Sequence, residues 1–315
     1  MIVTEDLSKE FEDFIAVDGV NLKVGAGEVL ALLGPNGSGK TTTVRMLTSI
    51  LGPTRGWARV AGYDIVQQAD QVRASVGVLT EHHGLYSRMP AAEYLDFFGQ
   101  LYGIDQPSRQ KRANDLLERF GLAPFKHRRV GKFSRGMQQK LSLARTLLHE
   151  PPVLLLDEPT SAMDPQSARL VRDAIQALRS SDRAVILCTH NLSEAEELAD
   201  KIAIIRYGKI LAHGSPDELR QRLLGPAVYE VRIGVSSSLD DLSLPGNLQI
   251  SARGENWLRY RSSRPEFDNP LVLQYLLNQG LKVVSLEEVP RSLEQIYLQV
   301  MNEPQSILLE TSADG

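Results

Sequence analysis

Three short apolar runs stand out in the pattern of hydrophobic and polar positions along the chain. They cover Val29–Leu33, Val153–Leu156 and Ala184–Leu187, and each ends at a glycine-rich or polar loop. Continuous apolar runs of this length are typical of strands that are buried on both faces of a sheet. Helical periodicity follows the first two runs, over Gly39–Leu51 and residues 166–179. This alternation predicts an α/β protein with a parallel sheet.

The regions around these runs have other patterns. Residues 1–30 alternate apolar and polar positions between glycine-rich turns, which predicts a small antiparallel sheet at the N-terminus. Between about 82 and 150, apolar residues recur at helical spacing. We expect this region to be a mostly helical insertion into the α/β domain.

A domain boundary is expected near the Gly225-Pro226 turn. The first domain would then cover residues 1–224. Strand-like and helical segments follow one another beyond the turn, which predicts a small α+β domain over residues 226–303. Residues 304–315 are expected to form a disordered tail.

Composition narrows the class of protein. Hydrophobic residues make up 42% of the chain and charged residues 23%, as in soluble globular proteins. No apolar run approaches 18 residues and no secretory signal is evident, so the expected location is the cytoplasm. The single cysteine, Cys188, excludes an internal disulfide framework. The net charge of -4 argues against a nucleic-acid binder, which usually has a basic excess.

The run GPNGSGKT, from Gly34 to Thr41, matches the phosphate-binding pattern G-x-x-x-x-G-K-[ST]. Its glycines allow backbone N–H groups to surround phosphate oxygens at the start of a helix. Lys40 would add a positive charge for the β and γ phosphates, and Thr41 a hydroxyl for Mg²⁺. The alternative is an ordinary glycine-rich turn. The residues expected to bind nucleotide are Gly34, Pro35, Asn36, Gly37, Ser38, Gly39, Lys40, Thr41 and Thr42.

Two carboxylates, Asp157 and Glu158, follow the second apolar run. Charge at the end of a buried strand is costly unless a partner neutralises it, and a Mg²⁺–nucleotide complex would do so. We expect Asp157 to serve the metal and Glu158 to act as the general base for an attacking water. Without the phosphate loop, the two residues would be interpreted as surface acids.

The order of these motifs resembles that of the ATP-binding cassette (ABC) family, and the resemblance covers essentially all of residues 1–224. The stretch FSRGMQQK resembles the family's signature peptide, with Ser134 and Gly136 kept and Arg135 and Met137 departing from the commonest form. The resemblance implies that Ser134 and Gly136 contact the γ-phosphate of a nucleotide held by a second chain. The alternative for Ser134 is an ordinary helix N-cap.

Further family features follow from the same resemblance. Asp164, in SAMD, resembles the residue that crosses the dimer interface, and His190, in CTHN, resembles the switch histidine at the γ-phosphate. Phe11 resembles the aromatic residue that stacks on adenine, although a core-facing Phe fits the pattern nearly as well. Glu81 stands where the family commonly has a Gln that touches the metal and relays to a membrane partner. A carboxylate there remains a good ligand for Mg²⁺.

The resemblance implies an ATPase subunit of a transporter, with ATP and Mg²⁺ as ligands and Lys40, Glu158 and His190 as catalytic residues. Thr41, Glu81 and Asp157 are the expected ligands of Mg²⁺. The chain would pair with itself or with a similar ATPase, and would bind a separate membrane subunit at the cytoplasmic face of the membrane. The stretch GLYSRMPAAEYLDFFGQLYGI, the FSRGM variant of the signature peptide and the tail ending in RSLEQIYLQV resemble the branch that exports drugs, antibiotics, ions or cell-surface polymers. The alternatives are a soluble ATPase that acts on nucleic acid or the ribosome, and a regulatory subunit without turnover.

Overall fold

The computed structural model describes residues 1–80, 84–161, 163–178, 182–234 and 242–302. The chain divides into two compact units. The first covers Met1–Ser215 and the second begins at Pro216.

The first unit contains both strands and helices. Its strands are β1 (Ile2–Phe11), β2 (Phe14–Val24), β3 (Val29–Leu33), β4 (Arg55–Val60), β5 (Tyr63–Asp64), β6 (Val76–Leu79), β7 (Val153–Asp157), β8 (Ala184–Thr189), β9 (Lys201–Arg206) and β10 (Lys209–Gly214). Its helices are α1 (Lys40–Leu47), α2 (Ala69–Ser75), α3 (Ala91–Leu101), α4 (Gln106–Arg119), α5 (Arg135–Leu147), α6 (Pro165–Gln176) and α7 (Leu192–Leu198).

A six-stranded sheet forms the centre of this unit, in the order β10-β9-β3-β8-β7-β6. β9, β3, β8, β7 and β6 run parallel, and β10 pairs antiparallel with β9 at one edge. The three predicted apolar runs are β3, β7 and β8, next to one another in the sheet. The prediction of a parallel α/β sheet is therefore confirmed.

Both faces of the central sheet are covered, which explains why β3, β7 and β8 are buried along their whole length. Alternate residues of β7 contribute to different core clusters: Leu154 and Leu156 to one, Val153 and Leu155 to the other. The first cluster continues into α3, α4 and α5, and the second into β1, β2 and β4. Every residue of β7 is buried as a result. A side chain on either face thus meets a packed layer.

The predicted N-terminal sheet and helical insertion are both present. β2, β1, β4 and β5 form an antiparallel sheet in that order. Among the described residues between 84 and 150, α3, α4 and α5 carry most of the structure. An ion pair joins α3 to α4, with Arg109 Nε 2.6 Å from Asp96 Oδ1.

The second unit is a small α+β fold. Its elements are α8 (Pro216–Leu224), β11 (Ala227–Ile233), β12 (Ile250–Arg253), β13 (Trp257–Ser262), α9 (Pro265–Asn278), β14 (Val283–Glu288) and α10 (Leu293–Asn302). The four strands form an antiparallel sheet in the order β12-β13-β11-β14. Val272 and Leu276 of α9 pack with Val231 and Leu258 in its core.

The structural division lies at Ser215, before the boundary expected at Gly225-Pro226. α8 groups with the second unit because it packs against α10. Arg220 of α8 also donates from Nε to the carbonyl of Arg291 at 3.0 Å. The predicted tail, 304–315, lies outside the described residues. In the part of the chain that is described, no helix combines the length and the apolar character needed to cross a membrane.

Candidate functional site

The carboxyl ends of three neighbouring strands bring the predicted chemistry to one edge of the central sheet. β8 lies between β3 and β7, and the register pairs Leu33 with Thr189 and Asp157 with Cys188. The phosphate loop begins beside the end of β8, where the N–H of Gly34 donates to the carbonyl of Thr189 at 3.2 Å. Loops at the carboxyl ends of parallel strands are where α/β proteins hold ligands.

The phosphate loop has a backbone that requires glycine and a buried hydroxyl that needs a partner. Gly39 has φ 107° directly before α1 begins, and a Cβ there would lie 2.5 Å from the carbonyl oxygen of Ala16. The Oγ atom of Ser38 is buried and has no hydrogen-bond partner among the residues that the structure describes. A phosphate oxygen would satisfy it. The loop and the N-terminus of α1 therefore fit an anionic ligand.

Lys40 is only 6% exposed, so its charge is held inside the site. Its Nζ donates to the carbonyls of Gly34 at 2.6 Å and Pro35 at 3.1 Å. The same atom lies 3.7 Å from Oε1 of Glu158. A buried ammonium group favours a nearby anion, so this position fits a bound triphosphate.

Two of the three predicted metal ligands meet. Thr41 Oγ1 donates to Asp157 Oδ2 at 2.9 Å, and Asp157 is buried. Hydroxyl and carboxylate oxygens are the ligands that Mg²⁺ prefers. Glu81, the third predicted ligand, lies outside the described residues.

Glu158 also contacts His190, and together with Lys40 these residues form a cluster of side chains next to the phosphate loop. His190 Nδ1 lies 2.8 Å from Glu158 Oε2, and the histidine side chain is 54% exposed. Glu158 has φ 51°, a left-handed backbone conformation that is uncommon for residues other than glycine. Such strain persists where the surroundings enforce it, often at functional sites. Here the N–H of Glu158 donates to the carbonyl of Cys188 at 2.9 Å.

A cleft of about 490 Å³ opens over the phosphate loop, within the size range of small-molecule sites. Phe14, Ile15 and Tyr207 line one part of it, but the predicted stacking residue Phe11 does not. Instead, Phe11 stacks on Phe14 with ring centroids 5.3 Å apart. The cleft lining also includes Ala16, Asn36, Gly37, Ser38, Gly39, Lys40, Thr41, Thr42, Asp157, Glu158 and Gly208.

The structure does not bring Ser134, Gly136 or Asp164 into this cleft. Ser134 is the N-cap of α5, and Asp164 is the N-cap of α6. Hydrogen bonds from the side chain and backbone N–H of Ser167 hold the pKa of Asp164 below its usual range. A Cβ on Gly136 would lie 2.9 Å from Ser167 Oγ, so the starts of α5 and α6 are closely packed.

Sequence reasoning missed one buried group beside the cluster. The carboxyl of Glu194 accepts hydrogen bonds from Thr160 Oγ1 at 2.8 Å and from Thr189 Oγ1 at 2.6 Å. The spacing Asn191-x-x-Glu194 is that of a helix capping box, which would mark Glu194 only as a helix-start residue. Phe14 and Tyr207, which line the cleft, were also absent from the predicted site residues, although both stand next to turns between strands.

Two protein-family models match parts of the chain. Residues 17–161 match the family model described as "ABC transporter". Residues 214–301 match the model described as "ATP-binding protein DrrA1-3-like, C-terminal domain".

Relatives and a solved structure extend the match. The chain is 34% identical to the daunorubicin/doxorubicin resistance ATP-binding protein DrrA of Streptomyces peucetius, covering 96% of this chain and 93% of that protein. It is 40% identical to the ABC transporter ATP-binding protein NatA of Bacillus subtilis (strain 168), and the match covers 70% of this chain and 91% of that protein. A solved structure of the ATP-binding subunit of an ABC transporter matches with a TM-score of 0.66 and 28% identity, over 71% of this chain and 94% of that chain. The chain therefore belongs to the ABC transporter family, in which it is an ATP-binding ATPase subunit.

Proposed function

We propose that this chain hydrolyses ATP as one of a pair of ATPase chains and thereby drives export through a separate membrane subunit. The observation that carries the proposal is the meeting of Lys40, Glu158 and His190 over the phosphate loop. These groups supply a charge for the phosphates, a base and a polar contact that orients the base.

The phosphate loop and the nearby Asp157 would hold the nucleotide and its metal. The backbone N–H groups of the loop and the hydroxyl of Ser38 would face the phosphates, and Lys40 would add positive charge. Thr41 and Asp157 would hold Mg²⁺, with Glu81 as a further predicted ligand. Mg²⁺, when bound, supplies neutralisation of the charge on the β and γ phosphates.

Glu158 is the proposed general base for hydrolysis. Its carboxylate takes a proton from water while the water oxygen bonds to the γ-phosphorus and ADP leaves. His190 Nδ1 holds one carboxylate oxygen at 2.8 Å, and Lys40 lies 3.7 Å from the other. Phosphate oxygens compete with Glu158 for Lys40, so binding of ATP makes the base more available to water.

The positions of Ser134, Gly136 and Asp164 support a paired arrangement. Ser134 and Asp164 are exposed, and all three lie outside the cleft of their own chain. The exposed N-terminus of α5 offers N–H groups to an anion on another molecule. We therefore assign these residues to a nucleotide bound by a second ATPase chain in a head-to-tail pair.

Export and the membrane partner are inferred from the relatives. One protein named for daunorubicin and doxorubicin resistance aligns over 96% of this chain. The Nod factor export ATP-binding protein I of a Rhizobium species is 33% identical over 93% of this chain. We infer the same direction of transport and a location at the cytoplasmic face of the membrane. None of these relatives is named for an action on nucleic acid or the ribosome, so they do not favour that alternative.

An ATPase assay on the full chain with Mg²⁺ tests the proposal. Lys40→Ala should lose nucleotide binding or turnover, and Glu158→Gln should bind ATP without hydrolysing it. Lys111→Ala is the matched control, because Lys111 is an exposed lysine that pairs with Asp115 on the same helix. Turnover that is unchanged in Glu158→Gln would refute the assignment of the base.

A mixing experiment tests the paired arrangement. Chains with Lys40→Ala and chains with Ser134→Glu should each be inactive alone. Mixed together, they form one composite site with an intact Lys40 and an intact Ser134, so activity should return. If mixing restores nothing while both variants bind each other, Ser134 does not act across the pair.

A further inference from the structure

A buried carboxyl group lies next to the proposed catalytic cluster without entering the cleft. Glu194, the third residue of α7, is 1% exposed. One of its oxygens accepts from Thr160 Oγ1 at 2.8 Å and the other from Thr189 Oγ1 at 2.6 Å. Both oxygens are thus used, and both partners come from other segments of the chain.

The two threonines belong to the segments that carry the catalytic side chains. Thr160 is two residues after Glu158, and Thr189 directly precedes His190. In the cleft, Glu158 and His190 are 2.8 Å apart. Glu194 therefore bridges the two chain segments that carry Glu158 and His190.

Helix capping does not account for this arrangement. In a capping box, the Glu side chain would return to the backbone N–H of the N-cap. Here the N–H of Asn191 donates instead to Thr189 Oγ1 at 3.0 Å, and Glu194 binds the two hydroxyls. Burial raises the pKa of Glu194, since the charged form loses water. Burying a carboxyl group costs free energy, and helix capping could be achieved by an exposed side chain without that cost.

The segment that Glu194 restrains is also the strained one. Glu158 has a left-handed backbone, and such a conformation persists only where neighbouring contacts enforce it. Gln139 Nε2 donates to the carbonyl of Pro159 at 2.5 Å from the side of α5. The hydrogen bond from Thr160 to Glu194 connects the same segment to α7, and Glu194 in turn binds Thr189 at the end of β8.

We propose that Glu194 is a positioning residue that holds the loop of Glu158 in register with the loop of His190 during ATP hydrolysis. This inference rests on the proposed function of Glu158 and His190. Without the bridge, the two loops shift relative to each other and the base leaves its contact with His190. ATP binding should change little, because Glu194 reaches the phosphate loop only indirectly, through Thr189, whose carbonyl accepts from the N–H of Gly34.

Substitutions at Thr160 give the cleanest test because the hydroxyl of this residue donates directly to Glu194. Thr160→Val removes the hydroxyl at nearly constant volume, whereas Thr160→Ser retains it. We expect kcat of the full chain to fall about 10- to 100-fold in Thr160→Val, since a displacement near 1 Å at a catalytic group has effects of this size. ATP affinity should stay within about threefold, and Thr160→Ser should recover most of the rate.

Glu194→Gln should show the same loss of kcat with unchanged ATP affinity. Glu197→Gln is the matched control on the same helix, because Glu197 pairs with Arg172 and is partly exposed. Circular dichroism and the thermal midpoint show whether each variant is folded. A kcat like that of the wild type in both Glu194→Gln and Thr160→Val overturns the inference.

A double-mutant cycle separates positioning from a general loss of structure. In a chain with His190→Ala, the contact that Glu194 aligns is already gone, so Thr160→Val should reduce the remaining rate by less than about twofold. Additive losses would overturn the inference. A wild-type chain that binds ATP but does not hydrolyse it would instead refute the proposed function itself.

Discussion

Two glycines of the phosphate loop provide a matched pair for testing how the loop is held. Gly37 and Gly39 both have a positive φ, of 77° and 107°. A Cβ on Gly37 would meet nothing within 4 Å, whereas a Cβ on Gly39 would lie 2.5 Å from the carbonyl oxygen of Ala16. Alanine substitutions at both positions are therefore strained by a positive φ, and only Gly39→Ala also makes a close steric contact.

The expected costs differ accordingly. A left-handed conformation costs an alanine about 1–2 kcal/mol, and a less flexible unfolded chain offsets about 0.4–1 kcal/mol of this. We expect Gly37→Ala to lower the free energy of unfolding by about 1 kcal/mol. In Gly39→Ala, backbone strain and overpacking each contribute about 1–3 kcal/mol, so the loss should reach about 3 kcal/mol or more.

The two tryptophans allow this measurement on one unit at a time. Trp57 is on β4 of the first unit, and Trp257 is on β13 of the second. In a Trp257→Phe background, urea unfolding followed by tryptophan fluorescence reports the first unit alone. Titration with a fluorescent ATP analogue then measures binding, which Gly39→Ala should weaken more because Lys40 is the next residue.

Equal unfolding midpoints for Gly37→Ala and Gly39→Ala would refute the argument. They would mean that the contact between the loop and the backbone of Ala16 relaxes without cost. A larger loss in Gly37→Ala would refute it as well, because that position has no steric conflict.

Three further predictions follow from other parts of the molecule. Thr41→Val should raise the Mg²⁺ concentration needed for half-maximal ATPase rate about tenfold or more, while Thr41→Ser should retain the wild-type requirement. Burial lowers the pKa of His149 below its ordinary value of 6.5, so the unfolded chain takes up the proton first. The free energy of unfolding of the first unit should therefore fall as the pH drops from about 7 to 5, and His149→Gln should reduce that slope. A chain ending at Ser215 should remain folded and bind ATP, whereas one ending at Leu224 should also bind ATP but aggregate more, because it keeps α8 without α10.

Each of these has an outcome that contradicts it. The same Mg²⁺ curve for Thr41→Val and the wild type would remove the hydroxyl from the metal site. Exposed His127 is the control for the pH slope, and an equal change in His127→Gln would exclude the effect of burial at His149. Identical solubility of the two truncated chains would argue that α8 does not depend on the second unit.

The local motifs were predictable from the sequence because their chemistry is contiguous. The loop from Gly34 to Thr41 contains both the phosphate cradle and the start of its helix, and the apolar run before Asp157 marks a buried strand end. Parallel strands then bring such ends to one edge of the sheet. The approximate course of the second unit was predictable too, since its strands and helices have distinct periodicities.

Contacts between residues that are far apart in the chain could not be predicted from the sequence in this way. Which of Phe11 and Phe14 lines the cleft depends on how the β1–β2 hairpin meets it, and the two residues look alike in sequence. Glu194 looks like a helix cap until the fold brings Thr160 to it. The division at Ser215 depends on α8 packing against α10, which lies far along the chain, whereas Gly225-Pro226 is only a local turn.

The same two segments that hold the phosphate loop also form the aromatic end of the cleft. Gly39 packs against the carbonyl of Ala16, and the N–H of Gly208 donates to the carbonyl of Ser38 at 2.9 Å. Phe14 and Tyr207, the aromatic residues of the cleft, stand on these two segments next to the contacts. A movement of either segment therefore shifts the aromatic surface and the loop together. A Cβ on Gly39 would meet the carbonyl oxygen of Ala16 in the first of these segments, whereas Gly37, two residues earlier, is exposed and a Cβ there would meet nothing within 4 Å.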